Sequence, residues 1–343
     1  MNVDTIERSL VDHRTKGIPG GTAPFALGQI GERCWNVLRG DLPLPLAVLK
    51  ESALEHNSQW MRHFLARSGA AIAPHGKTTA SPQLFKRQLD DGAWAITVAT
   101  MQQLQVCREH GIQRIVFANQ LIGRPEIRYV LDELHRDPAF DFYCLVDSIN
   151  GVRMLCEAAR EHPLQRPVQL LVEGGYASGR AGCRSLPQAL KVARAVKEAE
   201  PHLTLLGVEG FEGLISGDSS EQVDVQVAAF LDFLVEVAAG CDDQGLFSPG
   251  PVILSAGGSA FYDMVTDRFC QTSLNGRLQV VVRSGCYLTH DSRMYKDAFR
   301  EMLARSPELK SIGEGLRPAL EVWAYVQSRP EPELAITTMG KRD

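Results

Sequence analysis

A single lysine stands at the end of an apolar run in the stretch IAPHGKTTASP, residues 72–82. Lys77 is the only Lys, Arg, Asp or Glu between Arg67 and Lys86. An ammonium group is usually solvated at the surface, and desolvation near an apolar strand lowers its pKa. A deprotonated amine can form a Schiff base with an aldehyde. We therefore regard Lys77 as a candidate nucleophile, with an ordinary surface lysine on a loop as the alternative.

The segment SAGGSAFYD, residues 255–263, is a candidate phosphate-binding loop. It follows an apolar run and opens a helical stretch. Gly257 and Gly258 permit close backbone approach, Ser259 can cap the helix, and free amides at such a position suit a phosphate. A plain Gly-Gly turn before a helix is the alternative.

The segment VEGGYASGRAGCRS, residues 172–185, carries Arg180 between glycines. Its guanidinium could hold an anionic group or face a ring nitrogen; a surface arginine on a flexible loop is the alternative. An amine nucleophile, a phosphate cradle and an arginine together describe a site for pyridoxal 5'-phosphate (PLP).

The elements that would position these residues alternate regularly. Near-continuous apolar strands separated by helical stretches predict a parallel sheet covered by helices, and eight units over about 230 residues fit a closed, TIM-type (β/α)8 barrel. All three motifs would then lie at the C-terminal rim, where barrel active sites lie. A doubly wound open sheet is the alternative, because periodicity does not show closure. The predicted strands are 45–49, 70–73, 94–98, 114–118, 140–146, 168–173, 203–208 and 252–256.

The sequence predicts three segments. Residues 1–43 are irregular and rich in Gly and Pro, and we expect them to contribute a strand to a β domain. Residues 44–274 form the PLP-binding barrel. Residues 275–343 contain strand-like runs without long helices between them, which predicts the start of a mainly-β second domain that the chain does not complete.

Composition excludes several classes of protein. The net charge of −5 argues against a general nucleic-acid binder. No apolar run reaches the roughly 18 residues of a membrane span, and the charged N-terminus lacks a secretory apolar segment. Eight cysteines without a CxxC pair indicate neither a zinc ribbon nor a disulfide framework. We expect a cytoplasmic protein with reduced thiols that binds a small molecule, with neither nucleic acid nor membrane as a partner.

Several motifs in order resemble those of one enzyme family. APHGKT resembles the PLP-lysine motif of the D-serine dehydratase and D-threonine aldolase family, within the alanine-racemase-like, fold-type-III PLP enzymes. EGGYASGRAGCR is similar to the acidic-glycine-arginine-x-glycine segment of that family, SAGGS to its phosphate loop, and VRSGCYLTHD to its Arg-x-Gly-x-Tyr segment. LEVWAYVQSRP and TTMGKRD resemble the strands that begin its second domain. The resemblance covers most of the chain and is strongest toward D-serine deaminase-like amino acid deaminases.

The resemblance implies a role for each matching residue. Lys77 would form the internal aldimine, and Arg180 would face the pyridine nitrogen. His75 would tune or orient the cofactor, with a packed loop histidine as the alternative. The phosphate would be bound by Gly257, Gly258, Ser259 and Tyr287.

The resemblance also implies a divalent metal, zinc or manganese. Lyases of this family hold it with a His-x-Cys or His-x-Asp pair near the C-terminus, and this chain has no His-x-Cys. Its one His-x-Asp, His135 to Asp137, falls at the end of a predicted outer helix, where we interpret it as solvated. We therefore assign no metal ligand in this chain and expect the metal pair to lie beyond it.

The activity implied is that of a PLP-dependent lyase. It would convert D-amino acids with a β-hydroxyl, such as D-serine or D-threonine, to an oxo acid and ammonia. A D-threonine-type aldolase or an amino-acid racemase on the same scaffold, a non-catalytic PLP-binding protein, and a barrel enzyme without PLP are the alternatives. The resemblance further implies a homodimer.

Overall fold

The computed structural model describes residues 1–275 and 277–340 of the chain. Helix α1 (Asp4–Glu7) precedes an antiparallel pair, β1 (Leu10–Val11) and β2 (Phe25–Ala26). Short 3-10 helices follow at Leu27–Arg33 and Val37–Arg39. Strand β3 (Leu46–Leu49) and helix α2 (Glu51–Ser68) then lead into the central sheet.

Eight parallel strands form the central sheet, and a helix follows each of them. The strands are β4 (Ala71–Ile72), β5 (Ile96–Val98), β6 (Arg114–Gln120), β7 (Asp141–Val146), β8 (Val168–Gly174), β9 (Leu203–Gly210), β10 (Val252–Ala256) and β11 (Leu278–Val282). The helices are α3 (Pro82–Asp90), α4 (Met101–Glu109), α5 (Arg124–Arg136), α6 (Ile149–Glu161), α7 (Leu186–Glu198), α8 (Ser220–Asp243), α9 (Tyr262–Cys270) and α10 (Met294–Arg305).

Backbone hydrogen bonds between β5 and the residues that follow β4 close the sheet into a barrel. Neighbouring strands pair in the order β4, β11, β10, β9, β8, β7, β6, β5. Across the remaining seam, the amide of Thr97 donates to the carbonyl of Pro74 at 2.9 Å, and the amide of Gly76 donates to the carbonyl of Thr97 at 2.8 Å. The predicted (β/α)8 barrel is confirmed, and the open-sheet alternative is not.

The apolar residues divide into two cores, as expected for a barrel. A smaller cluster of Ala, Val, Leu and Ile side chains with Tyr143 packs inside the sheet, and a larger cluster fills the space between the sheet and the helices. The N-cap residue of five helices is Ser or Thr, and its hydroxyl accepts a hydrogen bond from a backbone amide of the first turn. These caps are Ser81, Thr100, Ser148, Ser185 and Ser219.

Two strand assignments made from the sequence are wrong. The run at 45–49 is β3, which lies outside the barrel and pairs antiparallel with a C-terminal strand, β12 (Leu320–Trp323). The eighth barrel strand is instead β11, inside the segment assigned to the second domain; it pairs with both β10 and β4. Both runs are largely apolar, and the sequence pattern alone does not show which strand each one pairs with.

The segment 275–343 contains barrel strand β11 and helix α10, and the described residues after α10 form further short strands, as predicted. A 3-10 helix at Pro307–Ile312 precedes β12, and strands β13 (Val326–Glu331) and β14 (Leu334–Thr337) form a separate antiparallel hairpin. The strand expected from residues 1–43 does not join these elements, because β1 and β2 pair with each other. Residues 341–343 of the predicted second domain lie outside the described residues. None of the described helices is long and apolar enough to cross a membrane.

Candidate active site

A cavity opens at the C-terminal ends of the barrel strands. Its lining includes Lys77 from the loop after β4, Glu173 at the end of β8 and Arg180 from the loop after β8. Glu209 at the end of β9 and Arg283, which directly follows β11, complete its charged wall. The structure thus brings Lys77 and Arg180 together at the predicted rim. The three predicted motifs follow the first, fifth and seventh barrel strands, one earlier in each case than the sequence indicated.

Lys77 carries its charge in an unfavourable environment. Burial, and then the guanidinium groups of Arg180 and Arg283, lower the pKa of Lys77 below its ordinary value. The ammonium nitrogen lies 6.0 Å from the centre of the Phe211 ring, which is an apolar neighbour. A lysine in these surroundings has more neutral amine at physiological pH than a solvated one, which is the form that attacks an aldehyde.

His75 is neutral and holds the lysine loop. Burial, with the nearby charges of Lys77 and Arg283, lowers the pKa of His75 to about 3. Its Nδ1 accepts the backbone N–H of Lys77 at 3.3 Å, which places the imidazole proton on Nε2. His75 also lines the cavity. Its position agrees with the predicted orienting role, which stays a prediction.

Hydrogen bonds with Arg184 and Asp147 hold the loop that carries Arg180. The guanidinium of Arg184 donates to four carbonyl oxygens of the loop, those of residues 179–182. The amide of Gly182 donates to a carboxylate oxygen of Asp147 at 3.1 Å. Because these bonds involve the backbone on either side of Arg180, they fix the loop and leave the Arg180 side chain at the cavity wall.

Arg283 and Glu209 form a buried ion pair that the sequence interpretation missed. Arg283 is 6% exposed and Glu209 is 1% exposed, and one guanidinium nitrogen contacts a carboxylate oxygen of Glu209. Arg283 also donates to the carbonyl of Gly210 at 2.7 Å. The Nε of Arg283 and the second carboxylate oxygen of Glu209 have no hydrogen-bond partner in the described structure. Arg283 could have been predicted from the sequence, because it lies in the VRSGCYLTHD motif from which Tyr287 was predicted.

Glu209 and Glu173 bring two carboxylates to adjacent strands. The two residues are register partners in the β8–β9 ladder, so they point to the same side of the sheet. Burial raises the pKa of Glu173, and the amide of Gln120, which donates to it, opposes that shift. Burial likewise raises the pKa of Glu209, against the attraction of Arg283. The cavity therefore holds two carboxyl groups beside its cations, and burial disfavours the ionised form of both.

The predicted phosphate loop is organised differently from expectation. The amide of Gly257 donates to one carboxylate oxygen of Glu212 at 3.2 Å, and the amide of Gly258 donates to the other. Glu212 is fully buried. The two amides predicted to bind phosphate are therefore already paired within the protein. Gly257 needs its glycine for a φ of +96°, whereas Gly258 has no such requirement.

Ser259 does not cap helix α9, which has no side-chain hydrogen bond at its N-cap. Its hydroxyl instead accepts the amide of Cys286 at 3.2 Å, which joins the loops after β10 and β11. Among the described residues, the backbone amides of Ser259, Ala260 and Gly285 have no acceptor. We name these three residues the anion-binding surface, because their free amides could bind an anion. Ser259 is among the residues predicted to bind the phosphate, whereas Ala260 and Gly285 are not.

This anion-binding surface adjoins the lysine loop. A Cβ on Gly285 would lie 2.5 Å from the carbonyl oxygen of His75 and 2.6 Å from the hydroxyl of Thr78. The hydroxyl of Thr78 also lies 3.8 Å from the sulfur of Cys286. Tyr287, by contrast, is not brought to the cavity: it is buried in the core beside Gln88, and burial raises the pKa of its phenol.

Within residues 1–275 and 277–340, no three His, Cys, Asp or Glu side chains are grouped so as to hold a metal ion. His135 and Asp137 lie at the C-terminal end of the outer helix α5, as predicted. His135 is exposed there, but Asp137 is half-buried and paired with the buried Arg108, so the prediction of a solvated pair holds only for His135. The metal expected from the family resemblance stays a prediction.

Comparison with known proteins identifies the family of this chain. Residues 49–266 match the alanine racemase N-terminal domain family, so the chain belongs to that family. The family-level resemblance noted in the sequence is thereby confirmed.

The relatives found include enzymes of D-amino acids. A curated D-threonine aldolase from an Arthrobacter species is 23% identical over 206 residues, which are 58% of this chain and 53% of that protein. This chain thus spans about half the length of that relative. The crystal structure of D-threonine aldolase from Filomicrobium marinum superposes with a TM-score of 0.71 at 21% identity, over 88% of this chain and 74% of that one. D-threo-3-hydroxyaspartate dehydratase from Delftia sp. HT23 gives a TM-score of 0.59 at 22% identity, over 83% and 68%.

Proposed function

We propose that the protein is a PLP-dependent lyase of D-amino acids that carry a β-hydroxyl, with D-serine and D-threonine as the substrate type. The observation that supports this most directly is the placement of a low-pKa lysine beside a set of unpaired backbone amides. The named relatives, an aldolase and a dehydratase, both act on amino acids of this chemical class.

The described residues fit PLP. Lys77 supplies an amine for the aldehyde, and the free amides of Ser259, Ala260 and Gly285 supply donors for a phosphate next to the lysine loop. Two guanidinium groups, those of Arg180 and Arg283, line the cavity where the ring nitrogen and the substrate carboxylate would need partners. When bound, PLP would delocalise the electron pair released at the substrate's Cα.

The chain's own residues would bind and orient the substrate and move its proton. The amine of Lys77 would be the base that accepts the Cα proton of the substrate, and its lowered pKa suits that task near neutral pH. His75 would keep the lysine loop in place through its bond to the Lys77 amide. We assign the ring nitrogen to Arg180, in keeping with the motif that carries it.

Dehydratase and aldolase activities share this constellation and differ in the bond that breaks. Loss of the β-hydroxyl requires an acid or a Lewis acid at that oxygen, whereas the aldolase reaction deprotonates the hydroxyl and breaks Cα–Cβ. We favour the dehydratase and propose zinc or manganese as the accompanying metal. We also propose a cytoplasmic homodimer.

Cofactor binding tests the proposal first. The purified protein should develop a violet-edge absorbance with PLP, and borohydride should fix the label on the peptide that contains Lys77. Lys77→Ala should remove the fixed label while leaving the thermal unfolding temperature nearly unchanged, because Lys77 belongs to neither apolar core. Lys191→Ala, an exposed lysine on helix α7, is the matched control. Undiminished labelling of Lys77→Ala would show that another residue binds the aldehyde.

Product analysis then separates the activities. The PLP-loaded protein should be incubated with D-serine, D-threonine and D-alanine, with and without zinc or manganese. An oxo acid with ammonia identifies the dehydratase, glycine with an aldehyde identifies the aldolase, and L-alanine identifies a racemase. PLP binding without any of these products would favour the non-catalytic alternative.

A further inference from the structure

Glu212 is a buried carboxylate to which the family motifs assign no role. It lies in the loop between β9 and α8 and has no solvent exposure. Burial raises the pKa of Glu212, while the charge of Arg283 and the amides of Gly257 and Gly258 oppose the shift. A carboxylate at such a position is costly unless its oxygens are paired, and here the two glycine amides provide that pairing.

The same glycine loop is held from its opposite side. The hydroxyl of Ser284 donates to the carbonyl oxygens of Gly257 and Gly258 at 3.0 and 3.3 Å. The amide of Arg283 donates to the carbonyl of Gly257 at 3.3 Å. With Glu212 on the amides and Ser284 on the carbonyls, the peptide planes of the loop have little freedom to rotate.

The fixed loop determines where the free donors are. Ser259 directly follows the clamped glycines, and its hydroxyl is tied to the amide of Cys286. The unpaired amides of Ser259 and Gly285 therefore belong to two loops that this clamp holds in register. Phe211 and Glu212 pack within 3.3 Å of the position that a Cβ on Gly258 would occupy, so a phosphate has no room on the Glu212 side.

We propose that Glu212 is a positioning residue for phosphate binding: by clamping Gly257 and Gly258, it presents the amides of Ser259 and Gly285 to the phosphate of PLP. The inference rests on the proposed function, since it takes PLP as the ligand. Glu212 itself does not contact the phosphate. Removing one of its acceptor oxygens releases the loop and weakens binding of the phosphate but not of the aldehyde.

The experiment compares PLP with pyridoxal, which has the same aldehyde and ring but no phosphate. Dissociation constants for both are measured by absorbance titration for the wild-type protein, for Glu212→Gln and for the exposed control Glu221→Gln, and Lys77 labelling is quantified after borohydride. Glu212→Gln should reduce the preference for PLP over pyridoxal by at least about tenfold, the equivalent of one charge-assisted hydrogen bond. Its affinity for pyridoxal and its pyridoxal-labelled fraction at Lys77 should match the wild-type values.

The phosphate-specific loss distinguishes positioning from general damage to the fold, which would weaken both ligands equally and overturn the proposal. An unchanged preference would also overturn it, and an increased preference would show instead that the carboxylate occupies the phosphate's place. If Glu212→Gln does not fold, Ser284→Ala tests the same clamp from the carbonyl side and should also lower the preference. If neither aldehyde labels the wild-type protein, the proposed function fails first, and this inference fails with it.

Discussion

The imidazole of His75 makes the stability of the fold depend on pH. The pKa of His75 is lowered from 6.5 to about 3, chiefly by burial. Between pH 3 and pH 6.5, His75 is therefore protonated in the unfolded chain and neutral in the folded chain. Stability therefore rises with pH across that window and is lost as the pH falls through it. Above about pH 6.5 both states are neutral at this residue, and the contribution no longer changes.

We predict that His75→Gln makes the protein less sensitive to acid. The free energy of unfolding, measured by urea titration at several pH values between 3 and 6.5, should fall less steeply with acidification by up to about 1.4 kcal/mol per pH unit, the limit for one proton. His63→Gln, an exposed histidine on helix α2, should leave the slope unchanged. Equal slopes for His75→Gln and the wild type would show that His75 titrates normally.

Gly285 is the point at which the lysine loop and the anion-binding surface touch. We predict that Gly285→Ala destabilises the fold by about 1–3 kcal/mol, the usual cost of overpacking, because the methyl group would meet the carbonyl of His75 and the hydroxyl of Thr78. PLP affinity should fall as well, since the loops must separate. Chemical denaturation and PLP titration provide the measurements.

Gly31→Ala is the matched control for Gly285→Ala, because open space surrounds a Cβ at that position. It should change neither stability nor PLP affinity measurably. If Gly285→Ala behaves like this control, the two loops do not pack as closely as the structure shows.

Single residues were predictable from the sequence where their local context was unusual. Lys77 stood out as an isolated charge beside an apolar strand, and Arg180 stood out among glycines. Glu209 and Arg283 were not found, because their ion pair depends on strands β9 and β11 ending at the same rim, and Gly210 and Arg283 are 73 positions apart in the sequence. Glu212 was missed for the same reason: the amides that it accepts lie more than 40 residues away.

At the scale of elements, the sequence predicted the alternation of strands and helices and most strand positions. It did not predict which apolar run completes the barrel. Strand β3 alternates between half-buried and exposed positions, whereas β11 ends in three fully buried residues. That difference follows from the partners, because β11 is covered by strands on both sides while β3 has only β12. Pairing of this kind is a long-range property that a local pattern does not contain.

Among the described residues, β4 and β5 share no continuous strand ladder, and Thr97 adds a side-chain hydrogen bond across this seam. Its hydroxyl is fully buried and donates to the carbonyl of Ala73 at 2.6 Å. We predict that Thr97→Val, which keeps the shape but removes the donor, lowers the free energy of unfolding by about 1–2 kcal/mol. Urea denaturation should measure the loss. Thr272→Val, which removes a partly buried hydroxyl bond outside the barrel, should cost less.

At the scale of the whole molecule, the barrel and the C-terminal strands differ in how well they are covered. The barrel strands have buried side chains on both faces, packed inside the sheet and against the helices. In the β13–β14 hairpin, every residue of Val326–Glu331 is exposed, as are most of Leu334–Thr337. A two-stranded ribbon with exposed edges is marginally stable by itself and offers unpaired backbone groups to another chain.

We predict that this hairpin promotes concentration-dependent self-association. Val326 and Ile336 are 63% and 43% exposed, and their apolar side chains add to the open edges. The double variant Val326→Thr with Ile336→Thr keeps the β-branched shape and removes apolar surface, so it should shift the sedimentation profile toward smaller species at the same concentration. Val225→Thr is the control, because Val225 is equally apolar and 70% exposed but lies on helix α8. If the double variant and the control sediment identically across a tenfold range of concentration, the hairpin is not an association surface.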